Sequence, residues 1–308
     1  MVKRLPCLSI VTILAIAVLG LVPAPPAAGA TATPIPVVVT IPVLKDLVEQ
    51  IGGSHVRVTS LLSGYENEHT YSPKPSDLIA VRHAAVLFEV GLGLEVWVSS
   101  LVKNAGSPSL RVVTTSTGID VIHDDADRDH ADPHHGNHGN PHVWMDPDSA
   151  VLMVAQITDT LSAVDPAHAQ DFQARQTVYR RQLEALRNEL VARVRALPDR
   201  RVIVHHPAWP YMARRFGFEI AGVSQTQSGT EPSARQLHTL VSLMKREQIK
   251  VIASEVQLSH KIPSMLAKET GARVVVLTTL PGGVPNTETY LDMLRYNVFQ
   301  LVRALETP

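Results

Sequence analysis

The chain has 308 residues, 28 of them Lys or Arg and 29 Asp or Glu, so its formal net charge is −1. Such a balance leaves no excess of cations to grip a phosphate backbone, and nucleic acid is not expected as a partner. The single cysteine, Cys7, excludes an internal disulfide and a cysteine-ligated metal, so any zinc site must be built from His, Asp, Glu and water.

Residues 1–30 read as a cleavable signal peptide. Lys3 and Arg4 give a basic start, residues 8–22 are continuously apolar, and Ala28-Gly29-Ala30 supplies small residues for cleavage. The apolar run falls short of the roughly 20 residues a bilayer span needs, and Pro23, Pro25 and Pro26 end it. Cys7 precedes the apolar run, where it cannot carry a lipid, so the expected location is the periplasm with no lipid anchor.

From residue 36 short β-branched runs alternate with longer amphipathic ones: PVVVTI and VLKDLVEQIGG, VRVTSLL and SDLIAVRHA, AVLFEV and LEVWVSSLVKNA, then LRVVTT. This is the pattern of an α/β lobe with a parallel sheet flanked by helices, assigned to residues 31–164. It contains a His-rich loop at 123–140 and a helix at 147–164. Residues 165–198 predict one long connecting helix: Pro166 suits the first helical position, and Phe172, Tyr179, Leu183, Leu186, Leu190, Val194 and Leu197 recur at spacings of three, four or seven. At 1.5 Å per residue it would run about 50 Å, as a rigid spine joining two lobes. The alternation resumes over 199–308 as a second α/β lobe: RVIVHH, FEIAGV, VIASEV and ARVVVLTT each precede a helical run.

Of the 14 histidines, five lie between His130 and His142 in HADPHHGNHGNPH, beside several aspartates. A glycine-rich stretch of this density cannot build a core and reads as a loop that collects metal through His130, His134, His135 and His138. Imidazole without thiolate favours zinc. Three further histidines fall on turns that follow predicted strands, where α/β architectures keep their ligands: His69 in GYENEHTYSPKPSD, His142 in NPHVWMDP and His206 in HHPAWPY. GLGLE at 91–95 lacks the rest of a nucleotide-binding loop and reads as a tight turn. Trp144 and Trp209 read as interlobe core beside two of these histidines.

Several of these segments, in this order, resemble the cluster A-I periplasmic metal-binding proteins of zinc and manganese ABC importers. The resemblance rests on EHTYSPKPSD, GLGLEVWV, NPHVWMDP, HHPAWPYMARRFGFE and YLDMLRYNV and covers nearly all of the chain after the leader. It implies two α/β lobes joined by a long helix, with metal held between them by His69, His142 and His206, the last ahead of its neighbour His205. A histidine at the third position implies zinc ahead of manganese. The family's usual aspartate after the last strand is missing, and VVVLTTLPGG offers Thr278 and Thr279 instead. Glu68 and Glu255 are the replacements nearest by position, each either a ligand or a group that orients a histidine ring, and a bound water is the third option. The implied function is capture of Zn(II) and delivery to an inner-membrane ABC permease, by a monomer, with a zinc chaperone as a further candidate partner. The alternatives are a periplasmic zinc buffer without an importer and a zinc hydrolase. The absence of HExxH, GxSxG or another catalytic signature argues against an enzyme.

Overall fold

The computed structural model describes residues 2, 33–123, 139–225 and 231–307. The signal-peptide reading therefore falls almost wholly outside the described residues, as do His130, His134, His135 and His138. No described helix is long and apolar enough to cross a membrane.

The first sheet contains β1 (Ile35–Val39), β2 (Val56–Ser60), β3 (Val86–Glu89) and β4 (Arg111–Thr114), all parallel, in the order β2-β1-β3-β4. Val37, Val38 and Val39 are buried, as expected of a central strand covered on both faces. Pro36 is tolerated there because pairing with β3 begins only at Val37, so no ladder bond on that side needs its missing N–H. Helices α1 (Pro42–Gly52), α2 (Pro75–His83) and α3 (Val98–Ala105) make the crossovers. The helix α4 (Pro147–Val164) follows, with Pro147 at its first position and the Asp146 carboxylate accepting the Asp148 N–H.

The second sheet repeats the arrangement with β5 (Arg201–Val204), β6 (Glu219–Val223), β7 (Val251–Glu255) and β8 (Arg273–Leu277), in the order β6-β5-β7-β8. Its helices are α6 (Pro210–Phe216), α7 (Ala234–Glu247), α8 (Lys261–Thr270) and α9 (Tyr290–Glu306).

Between the sheets runs α5, Ala169–Arg195, with 27 residues and a length of about 40 Å. It is shorter than its periodicity suggested because Pro166–His168 forms a 3-10 turn, with Asp165 Oδ2 2.6 Å from His168 Nδ1. Its inner face is the expected one: Phe172, Tyr179, Leu183, Leu186, Leu190 and Val194 are buried. They join one hydrophobic cluster that runs from β1 through α4 to Val204, Trp209, Tyr211 and α9, so residues 34–308 form a single compact unit across both sheets. A smaller cluster around Ile203, Leu240, Ile252 and Leu266 fills the other side of the second sheet.

Polar bonds also cross between the halves. Asp146 receives a bidentate pair from Arg215 of α6, at 2.6 and 2.8 Å. The Asp46 carboxylate on α1 accepts the Tyr290 backbone N–H at 2.9 Å, and the Tyr290 hydroxyl donates to the Trp144 carbonyl at 2.5 Å. Gln257, after β7, donates to the Gly64 carbonyl at 2.8 Å.

Candidate metal centre

Each candidate side chain leaves the carboxyl end of a strand. Glu68 and His69 lie in the loop between β2 and α2, His142 ends the connection from β4 and leads into a 3-10 turn at Val143–Met145, and His206 follows β5 by two residues. Residues 91–95 form the tight turn expected. Gly91 has φ +84°, and a Cβ there would run into the Thr114 methyl group. The Glu95 carboxylate closes this turn, accepting from the Val90 and Gly91 N–H groups at 2.8 and 3.0 Å and from the Thr40 hydroxyl at 2.7 Å. The turn delivers Trp97, whose indole N–H donates to the Glu68 carbonyl at 3.2 Å and so pins the loop carrying His69.

His69, His142 and His206 converge from the two sheets: one ring nitrogen of each lies within 4.8 Å of the others. The Nε2 atoms of His69 and His142 are 3.2 Å apart. The ring centroids of His206 stand 5.4 Å from His69 and 4.9 Å from His142, both near perpendicular. Among the described residues no other group of three or more His, Cys, Asp or Glu side chains comes together in this way.

Two carboxylates flank the triad. Glu68, 3% exposed, has Oε1 3.8 Å from His142 Nε2 and 3.5 Å from the Thr279 hydroxyl. Glu255, 1% exposed, ends β7; its Oε1 accepts the Trp209 indole N–H at 2.5 Å, and its Oε2 lies 3.2 Å from His206 Nδ1, within ion-pair reach though off hydrogen-bonding alignment. Thr278 is already engaged, its hydroxyl donating to the Leu280 carbonyl and accepting from Gln257. Both tryptophans are buried core, and each also bonds next to the site: Trp144 donates to the Thr279 carbonyl at 2.8 Å, as Trp209 does to Glu255.

The electrostatics separate the histidines. Burial, with the charge of His206 nearby, pushes His69 down to about 4, and the same causes, with His69 added, hold His142 well below the ordinary imidazole range. Both rings are neutral near pH 7, with a nitrogen lone pair to offer. Burial also pulls on His206, but the carboxylates of Glu255 and Glu68 outweigh it and raise its value. Burial pushes Glu68 up to about 7 despite its hydrogen bonds. The 3.8 Å approach of Glu68 to His142 is therefore a carboxyl beside a neutral ring, not a salt bridge.

A model of the family described as zinc-uptake complex component A, periplasmic, matches residues 37–304. The chain belongs to this family. Zinc-binding protein AdcA of Streptococcus pyogenes is 28% identical over 259 residues, which cover 80% of this chain and 50% of AdcA; the chain spans about half the length of that relative. Manganese-binding lipoprotein MntA of Halalkalibacterium halodurans is 28% identical over 275 residues, 87% of this chain and 88% of MntA. A crystal structure of ZnuA superposes with a TM-score of 0.79 at 27% identity, over 89% of this chain and 100% of that one.

Membership in the ZnuA family makes this an extracytoplasmic metal-binding protein, in a family of solute-binding proteins that work with ABC importer permeases and are not enzymes. Inside the motifs that carried the resemblance are residues whose roles the one-dimensional reading did not assign. Asp146 of NPHVWMDP and Arg215 of HHPAWPYMARRFGFE meet across the halves. Their place within those motifs was the only sequence signal they gave. Thr279, which stands where the family's aspartate was expected, faces Glu68.

Proposed function

We propose that this protein captures Zn(II) between its two sheets, in the periplasm after removal of a signal peptide, and hands it to an ABC importer permease. The lobes would divide at the spine, residues 165–198. His69, His142 and His206 would be the nitrogen ligands and Glu68 the oxygen ligand, with Glu255 holding the His206 ring.

The observation that carries this reading is the convergence of three imidazoles from both sheets. The 3.2 Å between His69 Nε2 and His142 Nε2 is close to the edge of a tetrahedron with metal–nitrogen bonds of about 2.0–2.1 Å. Two of the three rings are neutral, so the protons to be given up on binding metal are those of His206 and of the Glu68 carboxyl, which burial raises to about 7. A donor set of three imidazoles and a single carboxylate suits zinc better than manganese, which favours oxygen ligands. Glu68 is preferred to Glu255 as the ligand because Glu255 is already committed to Trp209 and His206. Ligands donated by both halves also give the metal a reason to favour one arrangement of the halves, which is what a permease could read. The histidines at 130, 134, 135 and 138 would collect zinc and raise its local concentration.

Calorimetric zinc titration of residues 31–308, with His69, His142 and His206 changed to alanine in a second sample, tests the site. Loss of one tight equivalent is expected, with weaker binding by the His-rich loop retained. Tight binding that survives the triple change overturns the assignment. Zinc uptake at limiting metal by cells lacking the gene tests delivery; normal uptake would leave a buffering role instead.

A further inference from the structure

The geometry points to Asn140 as a positioning residue that presents His142 to the metal and ties that ring to the peptide beside His206. The inference rests on the interlobe site proposed above and adds a residue that touches no metal. Asn140 is 6% exposed and held at both backbone ends, its N–H donating to the Ile122 carbonyl at 2.8 Å and its carbonyl accepting the Tyr211 hydroxyl at 2.8 Å.

Its side chain makes three bonds. Oδ1 is 3.0 Å from the His142 backbone N–H and 2.9 Å from His142 Nδ1, and Nδ2 donates to the Pro207 carbonyl at 2.6 Å. The way round of this amide is dictated by its partners, because a backbone N–H can only donate and a carbonyl can only accept. With oxygen facing His142, the ring must carry its proton on Nδ1. Nε2, which stands 3.2 Å from His69 Nε2, is then left with a free lone pair. A ring free to hold its proton on Nε2 would present a donor to the metal and have to change tautomer before binding. The Nδ2 bond extends the same control across the molecule, since Pro207 directly follows His206 and belongs to the other half. One amide thereby sets both the tautomer of a ligand from the first sheet and its distance from the ligand of the second.

The test compares the parent with N140A, N140D and H142A. Readouts are the His142 tautomer in the metal-free protein by nitrogen-15 NMR, the Kd for Zn(II), and the rate of zinc release to a chelator. N140A is expected to give a mixture of tautomers and a Kd weakened about 10- to 100-fold, the usual range for a group that orients a metal-bound imidazole. N140D keeps an acceptor for Nδ1–H but has no donor for the Pro207 carbonyl, so it should keep the parent tautomer while releasing zinc faster. It also covers the case in which N140A fails to fold. Parent-like tautomer and Kd in N140A, or parent-like release from N140D, overturn the inference. H142A separates the two readings: if it keeps the tight equivalent, the interlobe site itself is wrong, whereas if it loses that equivalent while N140A behaves as the parent, only the role of Asn140 falls.

Discussion

The two sheets have the same strand order and the same parallel sense, yet they prepare their histidines in opposite ways. The first sheet supplies His69 and His142, rings with no ionised partner of their own, which burial keeps neutral. The second supplies His206, whose Nδ1 faces the buried Glu255 carboxylate and whose proton affinity is raised despite its burial. On the proposed assignment, the same fold offers two neutral imidazoles to the metal and one whose proton the metal would displace. Desolvation alone makes a weak but available ligand; desolvation with a carboxylate makes a more basic ligand that responds to pH.

The largest expected break in this contrast is His206→Ala, which removes the one histidine of the triad from the second sheet and leaves Glu255 with Trp209 but without its imidazole partner. Zinc affinity should fall by more than the roughly 10- to 100-fold typical of losing an orienting group, as read by competition with a chelator. Arg215→Ala comes next, because it strips the bidentate partner from Asp146, a carboxylate 1% exposed. Breaking a buried pair from one side costs about 3 kcal/mol, and thermal or urea unfolding would register it. Arg187→Ala, whose pair with Asp148 is about one-third exposed on both sides, is the control and should cost under about 1 kcal/mol. An Arg215→Ala protein as stable as the Arg187→Ala control would show that the Asp146–Arg215 pair adds nothing to the joining of the halves.

Glu255→Gln sharpens the contrast rather than destroying it. Without the carboxylate, the raised proton affinity of His206 drops, so the pH at which zinc is half released should move down while affinity at pH 8 weakens about 10-fold. An unchanged release midpoint would mean that His206 is not the proton-bearing ligand. The last effect concerns the metal-free protein. His69 is lowered in the folded state, so the unfolded chain binds the extra proton, and the contribution of this ring to stability is lost as pH falls from about 6.5 through about 4. His206 is raised and has the opposite sign: its contribution is full below about 6.5 and fades as pH climbs through its folded value. His69→Ala should therefore remove on the order of 2 kcal/mol of acid-side loss, measured as the slope of unfolding free energy between pH 6.5 and 4. A slope identical to the parent's would assign that acid loss to other groups.

The alternation of β-branched and amphipathic runs determined both α/β halves, because burial of strands on two faces and helices on one leaves distinct periods in the chain. The helix at 147–164 was legible to the residue, since Pro147 marks where it begins. The spine was legible in its buried face from Phe172 to Val194 but not in its first turn, where the Asp165–His168 contact accompanies a 3-10 geometry that periodicity cannot report. His69, His142 and His206 were legible as a set because each follows a strand and sits in its own motif. The different surroundings of Glu68 and Glu255 were not, since Glu68 adjoins His69 in the chain whereas Glu255 is distant from every candidate ligand in one dimension. Only the folded chain puts Trp209 against Glu255 and leaves Glu68 beside His142 and Thr279. Side-chain chemistry and local periodicity are written residue by residue, so the sequence by itself determined the elements, the absence of thiolate ligands and the candidate nitrogen donors. Distances between groups as far apart in the chain as Asn140 and Pro207, Asp146 and Arg215, or Glu68 and Thr279 depend on how two sheets pack around one shared core, and that packing was decided only by the tertiary structure.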